Sequence, residues 1–289
     1  MDSAMLAFLA APFVASLILT GIHAYLGVHV VERGVIFVDL SLAQIAALGA
    51  AIAILLPITG GDPHAPVVYW ISLGFTFIGA AVFSTIRGQR ARIPQEAIIG
   101  ICYAVASAAA ILAMSKATSE SEHLKDMLVG NILAVSWNEV AKTAGLYGAI
   151  GVFHYIFRKK FLAISLDHEK AEAQGLSVRF WDFLFYASFG FVVTSSVAIA
   201  GVLLVFCYLI VPSVAAMLYA ETVGRRLAIG WTMGTVVSAL GVYLSLVLDL
   251  PTGATIVCTF GVALALMAAL RPLIRTAHAS VRDSAAHAS

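Results

Sequence analysis

Residues 182–220 read DFLFYASFGFVVTSSVAIAGVLLVFCYLIVPSVAAMLYA, with Asp182 the one charged side chain in the run. A helix needs about 20 apolar residues to cross the hydrocarbon of a bilayer, so this stretch is long enough to cross twice. Only Ala200-Gly201 divides 182–199 from 201–220, which makes them a tight pair of spans or one broken element. Similar apolar runs cover 5–26, 35–57, 66–86, 96–114, 138–157, 227–248 and 253–272. Eight or nine crossings are expected, and with them an all-α, polytopic integral membrane protein.

The composition agrees. Of 289 residues, 61% are hydrophobic and 11% charged, with mean hydropathy +0.96, whereas soluble domains carry about 25% charged residues. Water-soluble enzymes, disordered chains and nucleic-acid binders are excluded together, and a net charge of +1 exerts no pull on polyanions. Cys102, Cys207 and Cys258 are widely spaced in apolar runs and read as buried thiols, not as a disulfide framework or a zinc site. No basic residue precedes the first apolar run (Met1-Asp2-Ser3-Ala4), so that run is expected to stay as a span. The P-loop pattern G-x-x-x-x-G-K-S/T does not occur, so ATP-driven transport would need the nucleotide bound on another polypeptide.

Charge sets the expected orientation. With nine crossings, Arg33, Arg87, Arg90, Arg92, Arg158, Lys159, Lys160, Lys170, Arg179, Arg225, Arg226, Arg271, Arg275 and Arg282 share one side, and only Lys116, Lys125 and Lys142 fall on the other. The positive-inside rule then places the carboxyl terminus in the cytoplasm and the amino terminus outside. Two connecting stretches stand out. Residues 115–137 start polar, lie outside, and suit a short interfacial helix. Residues 161–181 are cytoplasmic, with a helix-favouring segment from Asp167 through Ala173 and Gly175 as its stop. A short cytoplasmic helix between two spans is a natural docking element for a soluble partner, or else a plain amphipathic connector. The chain reads as a single membrane domain over 1–275, with the short helix at about 166–176 and a mobile polar tail over 276–289.

Four segments resemble one family. Asp167, Glu169, Ala171, Ala173 and Gly175 match its cytoplasmic pattern D-x-E-x-A-x-A-x-G-L. GVLLVFCYLIVPSVA at 201–215 resembles its G-V-L-L-V-x-x-x-L-I-V-P-A-x-x-A, LPTGATIV at 250–257 its L-P-T-G-P-T-I-V, and GNILAVSW at 130–137 its G-D-I-L-A-V-S. The family is the ABC-3 membrane permease of bacterial importers for zinc, manganese and iron, and the likeness is collinear from about residue 5 to 273. The resemblance implies a vitamin B12-importer-like permease in the bacterial inner membrane, working as a homodimer. It also implies two cytoplasmic ATPase subunits below, a metal-loaded binding protein outside, no permanently bound cofactor, and ATP only on the partner subunit. By that resemblance Asp167–Gly175 is the coupling helix that meets the ATPase. Pro212 would interrupt the seventh segment, and Gly201, Pro251 and Gly253 would shape turns and close helix approach.

The departure from the pattern concerns the cargo. At the second span the family reads G-D-A-L-S-H-A-x-L-P-G, its Asp and His four apart on one helix face, where both can hold a divalent cation. Here the stretch is VDLSLAQIAALG, which puts Leu40 at the Asp position and Gln44 at the His position. The available carboxylate, Asp39, is one residue early, about 100° round the helix. Glutamine offers a neutral carbonyl oxygen, a poorer zinc ligand than imidazole. Asp39, Ser41 and Gln44 are the candidate substrate-pathway residues, with Asp39 the candidate metal ligand. The alternative for Asp39 is a purely structural role near the cytoplasmic end, paired with Arg33 or a backbone amide.

Other polar residues read as structural. His23 and His154 have no second ligand at helical spacing, and His64 and His123 lie in outside loops with nothing clustered around them. Glu96 and Asp182 suit caps at the positive amino ends of their spans. Trp70, Trp137, Trp181 and Trp231 sit near span ends as in an aromatic belt. A secondary transporter, an intramembrane enzyme and a purely structural subunit are the rival classes. No internal repeat, H-E-x-x-H motif or deep Ser/His constellation recommends the first two. The expected function is the permease subunit of an ATP-binding-cassette importer, not itself an enzyme, moving a divalent transition metal inward by alternating access.

Overall fold

The computed structural model describes residues 3–59, 62, 65–86, 94–115 and 132–286. Among these the chain is helical, without strands. Its helices are α1 (Ser3–Glu32), α2 (Val38–Leu55), α3 (Pro66–Ile86), α4 (Gln95–Met114), α5 (Trp137–Ile156), α6 (Arg158–Leu166), α7 (His168–Ala173), α8 (Val178–Met217), α9 (Val223–Leu248) and α10 (Thr252–Ala286). Most of the expected interfacial stretch lies outside the described residues, as do Arg87, Arg90, Arg92, Lys116, Lys125, His64 and His123; only a short turn at Ile132–Ala134 represents that stretch.

Seven described helices are long and apolar enough to cross a membrane: Leu9–Glu32, α2, α3, α4, α8, α9 and Thr252–Pro272. α5 has the length of a span, 20 residues, but carries Asn138, Glu139, Lys142 and His154. Its start is set by a capping box: Ser136 Oγ accepts from the Glu139 amide at 3.3 Å, and Glu139 Oε2 accepts from the Ser136 amide at 2.8 Å.

α8 is 40 residues long, and Gly201 within it has φ 74° and ψ 160°. An unbroken helix of that length would stretch about 60 Å. Yet both of its ends are tied to the same end of α1. Asp182 near the start pairs with Arg33, and Arg226, just beyond the finish, pairs with Glu32. The chain therefore reverses at Gly201, and α8 consists of two arms, 178–200 and 202–217. With α5 and both arms counted, nine segments of the described residues run between an "Arg33 end" and a "Gly201 end", the higher of the two expected counts. Gly201 can make the turn because that backbone conformation is all but closed to residues with a Cβ.

The break expected at Pro212 is not found: α8 stays helical through it to Met217. Pro212 instead packs against α9, where a β-carbon at Gly230 would touch its ring at 3.6 Å. α1 is the spine of the bundle, with Leu19, Leu26 and Val30 fully buried against α8 and α9. Its Gly27 sits so close to the Leu209 carbonyl that any side chain would collide. α2 lies between α3 and α4, and Ser72 Oγ of α3 donates to the Ala46 carbonyl at 2.8 Å. The three cysteines are free, but only Cys207 is buried; Cys102 is half-buried and Cys258 exposed, because α10 turns an apolar outer face away from the core. α10 continues to Ala286, into the stretch expected as a tail, since 276–286 is alanine-rich and holds no Gly or Pro to stop it.

The reversal at Gly201 is directly testable. In a background lacking the native cysteines, single cysteines at the exposed positions Ser177 and Thr222 should react with a membrane-impermeant maleimide from the same face of the membrane. Reaction from opposite faces would mean that α8 crosses once.

Candidate functional site

The candidate pathway residues sit at the start of α2. The first amide there, that of Phe37, donates to Glu96 Oε1 at 3.0 Å, so Glu96 caps the neighbouring helix and not its own. Asp39 is 1% exposed and Ser41 0%, while Gln44 is half-buried. The difference follows from the helix: Leu40 and Gln44, four residues apart, share the half-buried face, and Asp39 is rotated off it into the bundle. Asp39 and Gln44 are thus not brought together. The expected alternative of an Asp39–Arg33 ion pair is not formed either: the carboxylate that Arg33 pairs with is that of Asp182. Asp39 Oδ1 and Ser41 Oγ are buried without a hydrogen-bond partner. Among the described residues no three His, Cys, Asp or Glu side chains gather as a metal site.

A second cluster, which sequence reasoning did not assemble, lies at the Arg33 end. Arg33 NH1 donates to Asp182 Oδ1 at 2.5 Å with both side chains fully buried. Its Nε donates to Ser165 Oγ at 2.8 Å, and the guanidinium stacks 3.9 Å from the centre of the Phe185 ring. His29 Nδ1 meets the same Ser165 hydroxyl at 2.8 Å. Asp182 is therefore not a helix cap but the buried counter-ion of Arg33, five residues past Ser177, the residue that precedes α8. The signal was present, since an aspartate and an arginine at equivalent depth in apolar runs need partners, but their separation of 149 positions hid the pairing.

The two histidines read as structural from the sequence, His23 and His154, are hydrogen-bonded inside the bundle. His23 bonds the Leu19 carbonyl at 2.8 Å and Ser196 Oγ at 3.2 Å. His154 bonds Ser188 Oγ at 2.8 Å and the Tyr25 hydroxyl at 3.3 Å, and stacks on Phe161.

The third element is α7. Asp167 caps it, accepting the Lys170 amide at 3.0 Å. Gly175, at φ +83°, ends it: the Leu176 amide bonds the Ala171 carbonyl at 3.1 Å and the Gly175 amide bonds that of Glu172 at 2.9 Å, a Schellman closure. Ala171 is 1% exposed and anchors the helix on the bundle, while Glu169, Lys170, Glu172 and Ala173 face outward. Of the five expected coupling residues, then, Asp167, Ala171 and Gly175 build the helix, and Glu169 and Ala173 present it.

The sequence of this chain matches the family model described as the ABC 3 transport family over residues 5–271. The chain belongs to that family. It is 31% identical over 202 residues to the manganese transport system membrane protein MntC of Listeria innocua, covering 68% of this chain and 71% of that one. It is 27% identical over 242 residues to the chelated iron transport system membrane protein YfeC of Yersinia pestis, covering 84% and 79%. Among solved structures, PsaBC from Streptococcus pneumoniae in complex with Fab superimposes with TM-score 0.74 at 25% identity, covering 90% of each chain. As in the rest of this ABC family, the chain is a transport subunit and ATP hydrolysis resides in a separate subunit.

Removing Arg33 alone takes away the guanidinium that pairs with the buried Asp182 carboxylate. Arg33→Met should cost about 3–5 kcal/mol of stability, and Arg33→Met with Asp182→Leu should recover much of it. Thermal unfolding of the detergent-solubilised protein, followed by size-exclusion chromatography, checks both. Equal midpoints for wild type and Arg33→Met would contradict the pairing.

Proposed function

We propose that this chain is the membrane permease of an ATP-binding-cassette importer that moves a divalent transition metal, manganese, iron or zinc, into the cytoplasm. The observation that carries the reading is α7, a helix locked at both ends by its own sequence and turned outward, in a chain without a nucleotide-binding loop. A docking helix is of use only to a separate motor. ABC importer permeases work with an ATPase and a substrate-binding protein, and two copies of this chain would enclose the path.

We place the Arg33 end in the cytoplasm. Arg33, Arg158, Lys159, Lys160, Lys170, Arg179, Arg225, Arg226 and Arg271 gather there, against Lys142 at the Gly201 end, and the positive-inside rule supports that sense. The amino terminus is then outside and the carboxyl terminus inside, in the inner membrane of a bacterium. The mechanism is alternating access: ATP draws the ATPases together, the α7 helices move with them, and the spans rearrange around the path. Asp39 is the proposed cation contact, with Ser41 and Gln44 beside the path. An orphaned carboxylate oxygen and hydroxyl in a water-poor bundle are costly unless a cargo or a second conformation satisfies them. The hard carboxylate of Asp39 suits manganese or ferrous iron at least as well as zinc, and the names of the relatives point the same way.

Two outcomes test the proposal. Glu169→Arg with Ala173→Arg changes only the outward face of α7, so it should leave folding intact and lower metal uptake per ATP by about tenfold; unchanged coupling would remove α7 from the ATPase interface. Asp39→Asn should depress cellular manganese, iron or zinc, measured by mass spectrometry in metal-starved cells, as deeply as deletion of the gene. Full metal content in that variant would show that Asp39 is not on the path.

A further inference from the structure

We propose that Ser165 and Arg33 form the junction through which movement of α7 enters the membrane-spanning helices; the inference rests on α7 being the docking element for the ATPase. Ser165 stands two residues before Asp167, the residue that ends α6 and caps α7. Asp182 lies a turn into α8, on the far side of α7. Both converge on Arg33: Nε reaches Ser165 Oγ at 2.8 Å and NH1 reaches Asp182 Oδ1 at 2.5 Å. The segment that projects toward the cytoplasm is therefore held at both of its roots by one guanidinium, and that guanidinium stands on the residue directly after α1.

The mounting around it is stiff. Phe161 of α6 is fully buried, with Trp181 and Phe185 of α8 at ring separations of 5.6 and 6.1 Å, and Phe157 lies 5.1 Å from Trp181. Close-packed aromatic contacts of this kind transmit displacement instead of absorbing it. From Arg33 the connection onward is short. Glu32, its neighbour, pairs with Arg226 at the start of α9. On the other side, the turn through Gly34 is closed by the Val35 amide on the Val30 carbonyl at 3.2 Å and leads within five residues to α2 and Asp39. A shift of α7 is thereby delivered to α1, α2, α8 and α9 at one point.

The junction also holds unused hydrogen-bonding capacity. Arg33 NH2 and His29 Nε2 are buried without a partner. A purely structural cluster in lipid would be expected to satisfy all its members; two open positions suit a cluster that exchanges partners between two conformations.

The test uses the permease with its ATPase and binding protein in liposomes, reading ATP hydrolysis and Mn²⁺ uptake together with the thermal midpoint. Ser165→Ala removes one hydroxyl and keeps the ion pair, and Arg33→Lys keeps the cation but loses the Nε donor, so each cuts the link between α6 and α1. Each should hydrolyse ATP while uptake per ATP falls about tenfold, the scale of an ordinary coupling between sites. A merely structural role would lower the thermal midpoint and leave uptake per ATP unchanged, and that result overturns the junction. If the ratio is unchanged in these variants but falls in Glu169→Arg/Ala173→Arg, the junction is wrong and the docking helix stands. If it falls in none of them, both are wrong.

Discussion

Between the two faces of a bilayer a polar group has no water to turn to, so each must find its partner inside the protein. Here that constraint becomes the packing code of α1. His23 is answered by Ser196 on α8, His29 by Ser165 on α6, and Arg33 by Asp182 and Ser165 together. Apolar side chains could slide past one another in lipid at little cost, since the solvent is as apolar as they are. The polar pairs cannot. They fix the register of α1 against α8 and bring α6 beneath it.

Small residues set the distances at which those pairs can form. Gly27 admits the Leu209 carbonyl, and Gly234 of α9 admits Thr20. Gly201 performs a different task, since it lets the longest apolar run of the chain fold back and place both its ends at the Arg33 face. Without the reversal, Asp182 and Arg226 could not both reach neighbouring residues of α1.

The candidate functional parts divide by how local their causes are. α7 was legible because its cap, its helix formers and its glycine stop lie within nine consecutive residues, and the structure assembles them as short-range rules demand. The part each residue of α7 plays was less legible: that Ala171 is an anchor and Ala173 an outward residue depends on which side of a two-turn helix meets the bundle. At α2 the one-residue offset between Asp39 and the family position was visible as an angle, and burial gave it meaning by turning Asp39 inward and leaving Gln44 half-exposed. Pro212 misleads in isolation, because a proline in a helix is read as a break, whereas here a neighbouring glycine gives it room to pack.

Composition and run length by themselves determined an all-helical membrane protein, its number of crossings to within one, and the place of the short capped helix α7, because hydrophobic length and local capping are properties of contiguous residues. Tertiary structure alone decided the return of α8, the pairing of Arg33 with Asp182 in place of Asp39, and the meeting of α6 and α8 on one guanidinium. Those depend on groups up to 149 positions apart, and partnership at that range is set by which helices touch, which no spacing along the chain records.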